Sequence, residues 1–150
     1  GSVFTVYLPA LPDITGENEI TGESRITSER IGKILVIDDE KDLLSLTKEM
    51  LAQIGYEPFI ASSAEEGLKI IKEHHDELKA VILDMSMPVM SGYEVFHAIH
   101  AIDKRIRVLL TSGFSYLEQA EKAVNEGAGG FLQKPYSMAS LAGKLDQMMK

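Results

Sequence analysis

The chain has 150 residues, 15 Lys plus Arg against 23 Asp plus Glu, a formal charge of −8, and 45% hydrophobic and 25% charged residues. That is the balance of one ordinary globular domain, and the acidic excess argues against a protein that coats nucleic acid through a basic face. Cys is absent, which excludes disulfide staples, thiolate zinc sites and a Cys nucleophile and agrees with a cytoplasmic location, while no apolar run reaches the ~20 residues of a membrane span and no secretory signal opens the chain.

Residue 1 is Gly rather than Met, which marks a processed chain or a fragment, with Gly1-Ser2 open to being a cloning remnant. Residues 1–12 alternate from Val3 to Leu8 and stop at Pro9, so a single strand is predicted, with Phe4, Val6 and Leu8 on one face. Such a strand has no sheet to join unless it belongs to a neighbouring domain. Residues 13–31 are rich in Gly, Thr, Ser and Glu and lack aromatics, which predicts a flexible acidic linker.

From residue 32 a regular alternation begins. Lys33 to Ile37 is β-branched and apolar on both faces, as a strand of a covered parallel sheet must be. Leu43, Leu46, Thr47, Met50, Leu51 and Ile54 recur at helical spacing, and Gly55 closes that helix. Pro58 to Ala61 is a second strand. Ser63 and Glu66 then have capping-box spacing ahead of Leu68 and Ile71. Ala80 to Leu83 is a third strand, and Ser91 with Glu94 repeats the cap before Val95, Phe96, Ile99 and Ile102. Ile106 to Leu110 is the fourth strand, with Ser115 and Glu118 as a third capping pair before Ala120, Ala123 and Val124. Gly130 to Leu132 is the fifth strand, and Met138, Leu141, Leu145 and Met148 mark a last helix. Strands that alternate with helices pair in parallel through right-handed crossovers. The predicted fold is α/β, a doubly wound five-stranded parallel sheet of flavodoxin-like order 2-1-3-4-5.

Ligands of such sheets bind outside the carboxyl ends of the strands. There stand Asp38, Asp39 and Glu40 after the first strand, Asp84 after the third, Thr111 and Ser112 after the fourth, and Lys134 and Pro135 after the fifth. In the 2-1-3-4-5 order these strands are neighbours, so the groups converge. Crowded carboxylates cannot all stay ionised without a cation, and Mg2+ suits Asp oxygens, a backbone carbonyl and waters. Acids, Mg2+, one Lys and one hydroxyl suit phosphoryl chemistry.

Val36-Ile37-Asp38-Asp39-Glu40, Leu83-Asp84-Met85-Ser86-Met87-Pro88, Ser91-Gly92, Leu110-Thr111-Ser112-Gly113 and Lys134-Pro135 together resemble the receiver domain of two-component response regulators. The resemblance assigns residues 32–150 to a receiver and implies a role for each site residue. Asp84 accepts a phosphoryl group from phosphohistidine. Asp38, Asp39, Asp84 and the carbonyl of Ser86 hold Mg2+. Thr111 binds a phosphoryl oxygen, and Lys134 pairs with Asp84 or its phosphoryl group. Phe131 is the aromatic switch that follows Thr111, and the Lys134–Pro135 bond is cis. Ser86 and Gly113 are small, which leaves room for water to attack the acyl phosphate.

Gly1 to Pro9 is similar to the closing strand of the ATP-binding domain of sensor histidine kinases, so the C-terminal receiver of a hybrid histidine kinase is expected. The parent chain would then be a phosphotransferase, with membrane anchoring left open. Expected partners are a histidine kinase dimerisation domain or a His-containing phosphotransfer domain, and neither nucleic acid nor membrane for this segment; a homodimer through the last two helices is left open. No DNA-binding segment follows the fifth helix, which leaves a free-standing single-domain regulator as the alternative. A haloacid-dehalogenase-like phosphohydrolase would carry a second Asp as general acid where Ser86 stands, and a docking-only pseudo-receiver would lack residues that are all present here. His74, His75, His97 and His100 read as helix-face and helix-end residues rather than ligands.

Overall fold

Five segments apolar on both faces pair into one parallel sheet: β1 (Lys33–Ile37), β2 (Glu57–Ala61), β3 (Leu78–Asp84), β4 (Arg107–Ser112) and β5 (Gly130–Gln133), in the order β2-β1-β3-β4-β5. This computed structural model describes residues 32–149, and the strand expected in residues 1–12 and the linker of residues 13–31 lie outside the described residues. All four strand pairings are parallel, so every connection is a helical crossover. The helices are α1 (Lys41–Ile54), α2 (Ala64–His74), α3 (Gly92–Ile102), α4 (Leu117–Asn125) and α5 (Met138–Met149).

Side chains alternate across each strand, so the sheet carries two cores. Ile34, Val36, Ala80, Ile82 and Leu109 meet Leu44, Leu51 and Ile54 of α1 and Leu141, Leu145 and Met148 of α5. Leu35, Ile37, Val81, Leu83, Val108 and Leu110 meet α2, α3 and α4 through Ile71, Val95, Phe96, Ile99, Ala120 and Ala123. Pro58 sits in β2, an edge strand, where its missing N–H costs no ladder bond on the open side.

Helix boundaries follow local chemistry. Gly55 closes α1 at φ 119°, a left-handed conformation that favours glycine, and its N–H donates to Leu51 O. Ser91 and Glu94 form a complete capping box at the start of α3. At α2 the Ser63 hydroxyl accepts from Glu66 N, but the Glu66 carboxylate turns to Ser62 N instead. The third expected pair does not form: a 3-10 turn over Phe114–Tyr116 shifts the α4 cap to Tyr116, so Ser115 does not cap the helix.

Three expected core positions are exposed. Leu46 is 48%, Met138 41% and Val124 37% exposed. The buried stripe of α1 runs through Leu44, Thr47, Leu51 and Ile54, and Leu46 lies about 200° around the helix from Leu44 at about 100° per residue. Met138 is the first residue of α5 and begins the helix before its stripe reaches the sheet.

Gly92 opens α3 directly against the β3 exit. A Cβ there would lie 2.5 Å from Met85 Cα and 2.9 Å from Asp84 O, both backbone atoms. The Gly92→Ala variant is therefore expected to lose about 1–3 kcal/mol of stability through overpacking, read as a lower urea midpoint at unchanged slope.

Candidate functional site

The carboxyl ends of β1, β3, β4 and β5 place the predicted residues at one rim. Asp84 is the last residue of β3 and is 1% exposed, and Asp38, just past β1, is 3% exposed. Asp39 is exposed beside them. One oxygen from each of these three carboxylates lies within 4.8 Å of the others. Thr111 is buried in β4 and stands opposite Asp84 in the β3–β4 register. The chain leaving Asp84 is tied to that partner, because Met85 N donates to Thr111 O at 2.9 Å.

Lys134 enters from the end of β5. Its backbone N donates to Ser112 O at 2.8 Å, and the following Lys134–Pro135 bond is cis. Its Nζ donates to Asp38 Oδ2 at 2.9 Å and lies 3.3 Å from Asp84 Oδ1. The expected partner was Asp84; the lysine bridges both acids and sits closer to Asp38. The remaining lone pairs are shared among nearby donors. Glu40 N donates to Asp38 Oδ1 at 2.9 Å. Ser86 N donates to Asp84 Oδ1 at 3.1 Å, and the Ser86 hydroxyl reaches Oδ1 at 2.9 Å and Oδ2 at 3.0 Å.

This hydroxyl contact was not read from the sequence, where Ser86 counted only as small and as a carbonyl. The signal was available, since a Ser two residues after an Asp can bond back to it. Phe131 lies opposite Leu110 in the β4–β5 register and packs half-buried on the α2/α3/α4 core. The partner of Thr111 is the next residue, Leu132. Beside Gly113 an added Cβ would meet nothing within 4 Å, so the rim is open there. Tyr136, not singled out in the sequence, packs in the α1/α5 core and shares a 2.9 Å hydrogen bond with Thr47.

The electrostatics follow from burial and charge count. Burial pushes the Asp38 carboxyl above its ordinary range; the Glu40 N–H and Lys134 pull it back, and the Asp84 charge pushes it up again. Lys134 is raised: burial alone would lower it, but the hydrogen bond to Asp38 and the charges of Asp84 and Asp38 outweigh that. Among the described residues one ammonium faces three carboxylates. Hard oxygen donors with an unbalanced negative charge, one of the three carboxylates open to water, fit a small divalent cation such as Mg2+.

A second cluster contrasts with this one. His75, Asp76 and Asp103 also bring ligand atoms within 4.8 Å, at the amino end of the sheet. There Arg105 already supplies the countercharge, 2.9 Å from Asp103 and 3.5 Å from Asp76. Elsewhere His97 lies 3.5 Å from Glu126, and the buried His100 Nε2 has no partner.

A parallel sheet of this order thus carries two buried acids, a bridging lysine and a hydroxyl residue at one rim. Residues 34–146 match the model of the response regulator receiver domain, and the chain belongs to that family. It is 30% identical over 106 residues to sporulation initiation phosphotransferase F of Bacillus subtilis, covering 71% of this chain and 84% of that protein. It is 29% identical over 118 residues to the transcriptional regulatory protein PrrA of Mycobacterium tuberculosis, covering 79% of this chain and spanning about half, 50%, of that relative. A response regulator receiver domain protein from Clostridium thermocellum is 36% identical with a TM-score of 0.76, over 79% of this chain and 94% of that one.

The burial of Asp38 has a pH consequence. Its carboxyl pKa is higher folded than unfolded, so above the ordinary value the unfolded chain binds fewer protons and stability falls as pH rises through the folded value. Asp38→Asn removes that ionisation. The variant is expected to unfold at higher urea than the wild type at pH 7, with the difference shrinking as pH is lowered below the ordinary carboxylate value.

Proposed function

We propose that Asp84 is the phosphoacceptor of a two-component phosphorelay, with phosphohistidine as donor. The observation that carries this reading is the buried Asp84 carboxylate, flanked by Lys134 and by Thr111 in the adjoining strand. In the transfer an Asp84 oxygen bonds to phosphorus as the phosphorus–nitrogen bond of the donor breaks, and the imidazole leaves with the electron pair and takes up a proton. Lys134 is the group able to follow the charge, since its ammonium already lies between Asp38 and Asp84. The Thr111 hydroxyl donates to a phosphoryl oxygen, and the Ser86 hydroxyl gives up one of its two bonds to Asp84 when that oxygen becomes the ester-like oxygen. Asp38, Asp39, Asp84 and the Ser86 carbonyl would hold Mg2+, which when bound offsets the negative charge on the transferring group.

The movement of Thr111 toward the phosphoryl group is read through β4 and β5. Phe131 lies next to the partner of Thr111 and packs on the opposite core, so its packing is the switch that alters partner affinity, a shift between two populated states. The donor and partner are a histidine kinase dimerisation domain or a His-containing phosphotransfer domain. The hybrid-kinase setting is supported by the sequence of residues 3–9, which lie outside the described residues. The free-standing reading is supported by the 84% coverage of the Bacillus subtilis phosphotransferase. Among the described residues no helix is long and apolar enough to cross a membrane, in keeping with a receiver that works in the cytoplasm.

The test is labelling by acetyl phosphate with Mg2+. Wild type is expected to gain one phosphoryl group by intact mass, Asp84→Asn none, and wild type in excess chelator none. Full labelling of the Asn variant would reject Asp84 as acceptor. The open rim beside Gly113 gives a second expectation: Gly113→Leu lengthens the half-life of the phosphorylated protein, measured by loss of the added mass after the donor is removed.

A further inference from the structure

The same two chain segments that meet at the site are joined a second time. Lys134 and Asp38, 96 residues apart in the chain, form the charged link at 2.9 Å. Tyr136 and Thr47, 89 residues apart, form a neutral one at 2.9 Å. Thr47 is fully buried on the sheet-facing stripe of α1, the helix that begins three residues after Asp38. Tyr136 stands two residues after Lys134 and packs beside the α1/α5 core. Burial raises the phenol pKa, with Thr47 and Lys134 pulling the other way, so the hydroxyl stays protonated while the acids beside it change charge.

A polar pair in an otherwise apolar core has a cost that a Phe and a Val of the same shapes would avoid. The two links also differ in what they must survive. The Lys134–Asp38 bond has to loosen when a cation takes Asp38 or a phosphoryl group draws Lys134 toward Asp84. The Tyr136–Thr47 bond involves no ionised group and persists through both events.

We propose that the Tyr136–Thr47 hydrogen bond is a positioning contact, one that fixes the β5–α5 connection on α1 so that Lys134 can exchange Asp38 for the Asp84 phosphoryl group without its backbone moving. Tyr136 and Thr47 touch neither the phosphoryl group nor the cation. They act through Lys134, and the inference rests on Asp84 being the phosphoacceptor.

The test compares Tyr136→Phe, Thr47→Val and Thr47→Ser in the whole chain, with rates of acetyl phosphate labelling and Mg2+ affinity measured in parallel. Phe keeps the ring and Val the volume, so the core stays filled. A positioning role predicts a several-fold lower maximal labelling rate in Tyr136→Phe and in Thr47→Val, with Mg2+ affinity unchanged. Thr47→Ser, which keeps the hydroxyl, retains the wild-type rate, and the double variant is no slower than either single one. Wild-type rates in both single variants would overturn the proposal, as would rates and Mg2+ affinity falling together, because Asp38 and Asp39 would then be the groups disturbed. A rate loss in Thr47→Ser equal to that in Thr47→Val would overturn it too, by assigning the effect to packing. If wild type itself takes no label, the phosphoacceptor reading fails first; a labelled wild type with indifferent variants sinks the positioning role alone.

Discussion

Everything at the rim depends on an unbalanced charge. Asp38 and Asp84 are almost wholly buried, Asp39 is exposed next to them, and Lys134 is the one ammonium between them. Carboxylates held this close raise one another's proton affinity unless a cation intervenes. The fold enforces the crowding and does not relieve it. β1 and β3 are adjacent in the sheet, and both are locked between two packed cores, so the acids cannot drift apart without breaking strand pairing. Such strain is tolerable only because donors are shared out: Glu40 N to Asp38, the Ser86 amide and hydroxyl to Asp84, Lys134 to both. The residual negative charge fits the rim to a hard cation, and the proposed phosphoryl transfer rests on that fit.

The second consequence of the sheet is that the site adjoins side chains packed on both of its faces. Asp84 pairs with Thr111, Thr111 with Leu132, and Leu132 packs toward α1 and α5. The residue before it, Phe131, packs toward α2, α3 and α4. A displacement of Thr111 therefore reaches side chains on opposite sides of the molecule within two strands. Close-packed interiors transmit small shifts rather than absorb them, so under the proposed phosphoacceptor reading a change at one carboxylate would reach a surface several residues away.

Most of this was legible in the residues. Strands apolar on both faces, separated by capped helices, have few topologies open to them, and the order that followed brings Asp38, Asp84, Thr111 and Lys134 together. What was not legible depends on geometry that spacing does not carry. Leu46 has the right chemistry for the core, but the helical angle from Leu44 turns it outward. Ser115 and Glu118 have cap spacing, but the 3-10 turn over Phe114–Tyr116 uses up the residues that would have capped α4. Lys134 could be placed at the rim, yet its preference for Asp38 over Asp84 is a matter of tenths of an ångström. The Thr47–Tyr136 bond joins residues far apart in sequence, and neither residue alone signals the other.

The two acid clusters found among the described residues differ in where their countercharge comes from. At the amino end of the sheet, Asp103 is followed two residues later by Arg105, whose guanidinium and backbone N both bond to it and hold its carboxyl well below the usual range. That arrangement is closed: the countercharge arrives on the same turn and folds back. At the carboxyl end, Asp84 is followed two residues later by Ser86, which donates hydrogen bonds but no charge. The countercharge there comes from Lys134, just past the end of β5, and is divided between two acids. A short-range Arg brings its charge against Asp103 on the same turn, whereas a short-range Ser brings none and leaves Asp84 to share a distant Lys with Asp38. The same motif of an Asp with a polar residue two positions on is a structural clamp at one pole and, at the other, part of the site proposed to accept a phosphoryl group, and the charge of that second residue is what separates them.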